Sequence, residues 1–206
     1  IIMIDKIIQP YTQPFLKLIS KILIKFITPN QVSLMAFIIG ILMCALIILD
    51  FYLYALVALI LNRLLDGLDG TMARLTTPSP FGGYIDIVFD FIIYGGFVFS
   101  FGLSDSVFLM SSCLLLFLYI GTSSTFLAYA AILKNYHPTF ENKSSKEINK
   151  GFYYASGLVE GFETIIFMTL CLLAPQFFNI FAFLFSMLCI ATIISRVFIS
   201  YQRFKQ

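Results

Sequence analysis

Long runs of apolar residues are the feature that most limits the folds open to this sequence. Residues 32–49 contain no charged side chain, and residues 177–200 contain one, Arg196. A helix needs about 20 mostly apolar residues to cross a bilayer. Of the 206 residues, 60% are hydrophobic and only 12% are charged, whereas soluble domains have about 25% charged residues. The sequence therefore predicts an all-α membrane protein.

Reading the chain with a window of this length gives six candidate transmembrane helices, separated by short polar or turn-forming segments. We find no internal repeat and no linker, so residues 1–206 are expected to form a single domain, with the six-helix membrane bundle in residues 28–206. The six predicted spans are about 32–49, 52–68, 82–102, 107–132, 152–174 and 177–200.

The first 27 residues have a different pattern and precede the bundle. Lys17, Lys21 and Lys25 recur every four positions. Such a pattern is typical of an amphipathic helix that lies in the membrane interface, with its lysines among anionic headgroups. We therefore predict an interfacial helix within residues 1–27. Its expected apolar face consists of Phe15, Leu16, Ile19, Leu23 and Phe26.

The placement of Lys and Arg predicts the orientation of the bundle. With six spans, all 13 basic residues fall on the same side of the membrane, and the opposite connections carry Asp50 and Asp105 without any basic residue. Because Lys and Arg are enriched on the cytoplasmic side, we expect both ends of the sequence in the cytoplasm. The corresponding location is a cell inner (cytoplasmic) membrane, crossed several times.

Charge and cysteine usage argue against two other classes of protein. The net charge of +2, without a basic run or an aromatic stacking platform, does not indicate a nucleic-acid partner. The four cysteines are far apart in apolar runs and form no CxxC pair, so we interpret them as packing residues. His137, the single histidine, lies in a polar segment and is interpreted as solvated surface.

Four aspartates between the second and third spans form the most informative motif. Asp66 and Asp69 are three residues apart, and Asp86 and Asp90 are four apart, so each pair shares a helix face. Both pairs lie near the cytoplasmic ends of neighbouring antiparallel spans, where they can converge on one pocket. Two carboxylates about 4 Å apart repel by about 4 kcal/mol at an effective dielectric near 20. Divalent cations would relieve this repulsion, and oxygen ligands without His or Cys select Mg²⁺, Mn²⁺ or Ca²⁺.

Small and basic residues next to the acids fit a phosphate-binding site. Gly70 and Ala73 remove side-chain bulk beside the predicted metal ligands, and Arg74 can bind phosphate oxygens with its fork of donors. The alternative interpretation is that the glycines only allow close helix packing, as small residues often do in membranes.

The segment Asp66-x-x-Asp69-Gly70-x-x-Ala73-Arg74, followed by Gly82-x-x-x-Asp86-x-x-x-Asp90, resembles the signature of the CDP-alcohol phosphotransferase (CDP-alcohol phosphatidyltransferase) family. Every invariant residue type of that signature is present. The interval between Arg74 and Gly82 is seven residues, one shorter than is usual in the family. Thr28-Pro29-Asn30 is also similar to the segment that opens the family's first membrane helix.

The resemblance implies an enzyme of phospholipid biosynthesis. It would transfer a phosphatidyl group from a CDP-linked lipid, such as CDP-diacylglycerol, to an alcohol and release CMP. The family also implies two ions of Mg²⁺ or Mn²⁺, with Ca²⁺ a further candidate for a bound ion, and a homodimer. Asp66, Asp69 and Asp86 would hold the ions, and Asp90 would be both a ligand of the second ion and the general base. The implied substrate-binding residues are Pro29, Asn30, Gly70, Ala73, Arg74, Ser79 and Gly82.

The acceptor alcohol is less well indicated. Glu160 and Glu163 share a face deep in the predicted fifth span, and an ionisable residue inside a span is a functional candidate. These residues are predicted to bind the acceptor, to form an ion pair with Arg196 of the sixth span, or to form a polar clamp between helices. Few basic residues are available to bind a phosphorylated acceptor, which disfavours inositol phosphate and glycerol phosphate. The glutamate segment and residues 62–70 resemble a bacterial inner-membrane branch of the family.

Two functions of other classes are compatible with intramembrane acids. A cation- or proton-coupled transporter would use the aspartates as a relay, but it predicts repeated halves with broken helices, which the sequence lacks. A non-catalytic scaffold would have no use for the complete set of acids.

Overall fold

The computed structural model describes residues 5–136, 159 and 161–205, and this part of the chain contains helices and no strand. The predicted all-α class is therefore confirmed. Two short 3₁₀ turns, Ser106–Phe108 and Pro175–Phe177, connect longer helices. Those helices are α1 (Asp5–Leu23), α2 (Pro29–Ile48), α3 (Tyr52–Leu75), α4 (Pro80–Ser104), α5 (Leu109–Tyr136), α6 (Gly161–Leu173) and α7 (Phe178–Phe204).

Side-chain caps fix where the two helices nearest the acidic motif begin. Thr28 and Gln31 form a capping box at the start of α2, in which each side chain bonds the other residue's backbone N–H, and Pro29 occupies the first turn. Ser79 caps α4 in the same manner, because its hydroxyl accepts a hydrogen bond from the Gly82 amide at 2.9 Å. Both helix starts are thus set by the local sequence.

The helices from α2 to α7 pack in a closed ring. Helix α2 packs on α3 and α4, α4 on α5, α5 on α7, α7 on α6, and α6 on α3. Helix α1 packs on α3. The ring brings the end of α3 and the beginning of α4 together, and those are the segments that carry the four aspartates.

Four segments of the described chain are long and apolar enough to cross a membrane: Pro29–Ile48, Pro80–Ser104, Ser106–Ile132 and Pro175–Phe204. Helix α3 is long enough, but Arg63, Asp66 and Asp69 make its second half polar. Helix α6 has 13 residues, and most of the first half of the predicted fifth span lies outside the described residues. The count of six spans stays a prediction.

The apolar side of helix α1 is covered by α3 along one edge and exposed along the other. Leu16, Ile19 and Leu23 pack on α3, around Leu68 and Met72. The other expected members of the apolar face, Phe15 and Phe26, are exposed, together with Leu18 and Ile22. Residues 15, 18, 22 and 26 follow helical spacing, so they form an exposed apolar stripe next to the three lysines. That the helix lies in the membrane interface stays a prediction.

Aromatic rings fill the core at the end of α4 farthest from the aspartates. Phe101 and Phe178 stack with ring centroids 4.2 Å apart and planes 5° apart. Phe108 meets both rings edge-on, at 5.9 Å and 5.3 Å. Offset and edge-to-face pairs of this kind stabilise a core beyond the area that they bury. This packing fastens α4 to α7 and leaves the opposite end of α4 to the site.

Candidate active site

Asp66, Asp69 and Asp86 converge at the junction of α3 and α4. One carboxylate oxygen from each lies within 4.8 Å of the other two. Asp69 is buried, Asp66 is half-buried and Asp86 is exposed. Oxygen ligands bind Mg²⁺ and Ca²⁺ at about 2.0–2.6 Å, so two ligands of one ion are at most about 4–5 Å apart. The spacing and the all-oxygen chemistry of the three acids therefore fit a hard divalent cation.

Ser33 of α2 holds the buried member of this group. Its hydroxyl donates a short hydrogen bond to Asp69 Oδ2 and lies 3.2 Å from the carbonyl oxygen of Pro29. A hydrogen bond of this kind favours one rotamer of the carboxylate. Metal ligands typically receive such hydrogen bonds from neighbouring residues. The start of α2 therefore orients a side chain of α3.

Asp90 lies outside the group of three and has partners of its own. Its Oδ1 accepts a hydrogen bond from Arg63 Nη2 at 2.9 Å, and its Oδ2 accepts one from the Tyr94 hydroxyl at 3.2 Å. The structure thus brings together three of the four predicted metal ligands and places the fourth with an arginine. The metal-binding and general-base roles of Asp90 stay predictions.

All of the residues expected to bind the donor line one groove, and Asp69 and Asp86 also line it. Ile24 and Ile27, from the segment that follows α1, form an apolar part of its wall. A groove with acids at one end and apolar side chains in its wall is suited to an amphiphilic ligand. Its predicted members are Pro29, Asn30, Gly70, Ala73, Arg74, Ser79 and Gly82.

The glycines of the groove differ in their surroundings. A Cβ atom at Gly82 would lie 3.0 Å from Asn30 Oδ1 and 3.0 Å from Ser79 Oγ, so a larger residue would crowd the starts of α2 and α4. A Cβ atom at Gly70 would meet only the Arg74 guanidinium, at 3.4 Å and beyond. Close packing therefore accounts for Gly82, whereas the bare backbone at Gly70 faces the groove.

Arg74 and Ser79 lie on either side of the connection between α3 and α4. Arg74 Nη2 donates to the Thr71 hydroxyl at 3.1 Å, and its side chain is exposed. The Ser79 hydroxyl serves as the cap of α4. Contact of either residue with a phosphate stays a prediction.

The predicted acceptor residues lie in the second half of the ring. Arg196 of α7 is 9% exposed, donates from Nη1 to the Thr122 carbonyl oxygen at 2.9 Å, and lies over the Phe126 ring at 5.5 Å. It therefore joins α7 to α5. Glu163 lies in the first turn of α6, which packs on α3. Glu160 and His137 are outside the described residues.

Four residues of the network around the acids were not among the predicted site residues. Ser33 bonds Asp69, Arg63 and Tyr94 bond Asp90, and Asn62 bonds Arg63. The sequence carries a weak signal for one of them, because Tyr94 follows Asp90 by four residues and thus shares its helix face. The contact of Ser33 depends on how α2 packs on α3.

The model of the family described as CDP-alcohol phosphatidyltransferase matches residues 26–198. The chain belongs to the CDP-alcohol phosphatidyltransferase family. As a member of this family it is a transferase of substituted phosphate groups, and the resemblance drawn from the aspartate signature is confirmed. The transporter alternative finds no support.

Two relatives of this CDP-alcohol phosphatidyltransferase illustrate the breadth of the family. Inner membrane protein YnjF of Escherichia coli is 39% identical over 208 residues, which cover 98% of each chain. The bifunctional IPC transferase and DIPP synthase of Thermococcus kodakarensis is 33% identical over 81 residues, which cover 39% of this chain and 18% of the relative. The similarity to an inner membrane protein extends over the whole phosphatidyltransferase chain.

Proposed function

We propose that this protein transfers a phosphatidyl group from a CDP-linked lipid, CDP-diacylglycerol, to an alcohol and releases CMP in phospholipid biosynthesis. The observation that carries the proposal is the position of the three converging carboxylates, at the end of a groove lined by the family's signature residues. The groove is the proposed site of the CDP group, and the carboxylate end is the proposed site of its pyrophosphate.

Two divalent cations, Mg²⁺ or Mn²⁺, are proposed to bind at the carboxylate end. Asp66, Asp69 and Asp86 would hold them, with Asp90 a ligand of the second. When bound, such ions neutralise the pyrophosphate and align it for in-line displacement. The protein's own contribution is to keep the acids at a fixed spacing before the substrate arrives, which the Ser33 and Arg63 hydrogen bonds support.

The remaining residues of the groove are proposed to bind and orient the donor. The exposed guanidinium of Arg74 would hold a phosphate oxygen with two parallel N–H groups. Asn30 and Gly82, whose close approach shapes the groove, would contact the nucleotide. Asp90 would accept the proton of the acceptor hydroxyl, which then attacks the phosphorus atom while CMP leaves.

The placement in the membrane is also part of the proposal. We propose that α3 and α6 complete six spans and that the site faces the cytoplasm, as the distribution of basic residues indicates. The exposed stripe at residues 15, 18, 22 and 26 supports an interfacial position for α1. The acceptor would enter near Glu160, Glu163 and Arg196, and a homodimer is the proposed assembly.

The proposal is tested by incubating purified protein with Mg²⁺ or Mn²⁺, CDP-diacylglycerol and a panel of alcohols, and by measuring CMP release and the mass of the lipid product. The Asp69→Asn variant should no longer release CMP. Asp50→Asn is the matched control, because Asp50 lies in the connection of α2 to α3 at their other end, and its φ of 61° suits asparagine. Equal release by both variants, or no binding of CDP-lipid to the unaltered protein, would contradict the proposal.

A further inference from the structure

Arg63 lies next to a small cavity that continues from the groove past the three converging acids. The cavity shares Ser33, Asp69 and Asp86 with the groove and extends to Arg63 and Asp90. A half-buried basic residue beside the proposed transfer site has two obvious uses, which are binding a substrate phosphate and holding another side chain in place. Its hydrogen bonds distinguish between these uses.

Each of the three guanidinium nitrogens of Arg63 already has a partner within the protein. Nη2 donates to Asp90 at 2.9 Å, and Nη1 donates to the Tyr94 hydroxyl at 3.2 Å and lies 3.5 Å from Asp66 Oδ2. Nε donates to Asn62 Oδ1 at 2.8 Å. The side chain is 15% exposed. Of the five guanidinium N–H groups, these contacts leave one on Nη2, so a substrate phosphate could form the two parallel hydrogen bonds of a bidentate pair only by displacing an existing partner.

The partners of Arg63 are themselves fixed. Asn62 is 1% exposed, and its Nδ2 donates to the Ala36 carbonyl oxygen of α2 at 2.7 Å. The Tyr94 ring also lies against the guanidinium, with its centroid 5.5 Å from Arg63 Cζ. The network therefore joins α2, α3 and α4 behind the acids, and the planar guanidinium is held in one orientation.

We propose, as an extension of the proposed function, that Arg63 is a positioning residue that holds the Asp90 carboxylate for the transfer step and binds neither substrate itself. With Asp90 Oδ1 bonded to Arg63, the carboxylate cannot turn freely, and its remaining lone pairs keep one direction. Proton transfer requires a base within hydrogen-bond reach of the proton, and a displacement of about 1 Å can lower a rate about 100-fold.

The test compares Arg63→Gln and Arg63→Lys with the unaltered protein under saturating donor and acceptor. Arg63→Gln should lower kcat about 10- to 100-fold while the KM values for CDP-diacylglycerol and for the acceptor stay within about threefold. The kcat of Arg63→Lys should lie between those of Arg63→Gln and the unaltered protein. An ammonium restores the charge and one hydrogen bond but not the planar set of guanidinium donors. Mn²⁺ binding, measured by electron paramagnetic resonance, should keep its stoichiometry in both variants.

Three outcomes would overturn the proposal. A higher acceptor KM with unchanged kcat would assign Arg63 to acceptor binding, and a higher donor KM would assign it to the donor. An unchanged kcat in Arg63→Gln would mean that Arg63 has only a structural role. Loss of Mn²⁺ binding with folding intact would mean that it serves the metal site rather than Asp90.

A second variant keeps the proposal testable if Arg63→Gln does not fold. Tyr94→Phe removes one hydroxyl, the one that accepts from Arg63 and donates to Asp90. It should lower kcat several-fold with KM unchanged, since Asp90 then loses one of its two partners. Tyr54→Phe is the matched control, because Tyr54 is 68% exposed on α3. Equal kcat in the two phenylalanine variants would overturn the proposal.

Discussion

At the scale of single residues, the four aspartates of one signature have four different environments. Asp69 is buried under Ser33, Asp66 lies beside Arg63, Asp86 opens to the groove, and Asp90 is bonded by Arg63 and Tyr94. These environments are compatible with the different roles proposed for the four carboxylates. Two substitutions test how these roles are divided.

Replacing Ser33 by alanine should weaken metal binding without removing any ligand. Asp69 would lose the bond that orients it, and loss of an outer hydrogen bond to a metal ligand typically lowers affinity about 10- to 100-fold. The measurement is the Mn²⁺ concentration that gives half-maximal CMP release. Ser124→Ala is the control, because Ser124 is exposed on α5 and bonds its own helix at Gly121. An unchanged Mn²⁺ requirement would show that Ser33 does not support the site.

Replacing Asp90 by asparagine should abolish turnover and leave the fold intact. An amide cannot take up the acceptor proton, although its size is nearly that of the carboxylate. CMP release measures the turnover, and the thermal midpoint of the purified protein reports the fold. Full activity in this variant would contradict the general-base role.

The site residues divide into those that sequence spacing predicts and those that it does not. The i, i+3 and i, i+4 intervals place each aspartate pair on one helix face, and the short connection brings the two faces together. The bonds from Ser33 and from Asn62 depend on where α2 packs on α3, and no helical period in one segment carries that information. The hydrogen bonds of Arg63 to Asn62, Tyr94 and Asp90 were likewise not readable from the sequence.

At the scale of helices, the closeness of α2 and α4 sets the spacing of the site. A Cβ atom at Gly40 would lie 2.4 Å from Ile93 Cδ1 and 2.8 Å from its Cγ1, and Ile93 is 1% exposed. Small residues permit such approaches between membrane helices. The alternative reading of glycine as a packing residue therefore applies to Gly40 and Gly82 more than to Gly70.

Gly40→Ala should lower the thermal midpoint of the protein in detergent. Overpacking a well-packed core costs about 1–3 kcal/mol, and Ile93 has little space into which it can move. Gly95→Ala is the matched control on a packed helix, because the nearest atom to its Cβ would be Leu116 Cδ2 at 3.9 Å. Equal midpoints for the two variants would show that α2 and α4 adjust without loss.

The N-terminal helix shows that an apolar pattern alone does not determine which residues contact the rest of the protein. Periodicity predicts an amphipathic helix, and residues of its apolar set divide between protein and surroundings: Leu16 packs on α3, and Phe15 next to it is exposed. Sequence spacing does not say what covers an apolar position, since lipid and protein are equally apolar. Only the packing of α1 on α3 shows which apolar residues are covered by protein and which are exposed.

At the scale of the molecule, the fold class was readable from the apolar runs, and the number of spans was not fully tested by the structure. Helix α3 explains the difference, because it combines an apolar first half with a second half that carries the acids of the site. Length and composition alone do not identify such a helix as a span. Its acids and Arg63 are what lower its hydrophobicity.

Site-specific labelling tests the six-span orientation. In a background whose native cysteines are replaced by alanine, Asp105→Cys should react with a membrane-impermeant maleimide from the non-cytoplasmic side alone. Ser145→Cys, among the lysines of the predicted cytoplasmic connection, should react from the cytoplasmic side alone. Membrane vesicles of known orientation provide both conditions. Labelling of both positions from the same side would contradict six spans.

The aromatic stack at the far end of α4 has a consequence for how α4 could move. Phe101 packs against Phe178 and Phe108, while the first turn of α4 is capped by the Ser79 hydroxyl. A tilt of α4 about its last turns would therefore displace its first half most. At 1.5 Å per residue, Asp86 is about 22 Å from Phe101, so a tilt of about 3° displaces it by about 1 Å. Bending too small to disturb the core would be enough to contract three carboxylates around an ion.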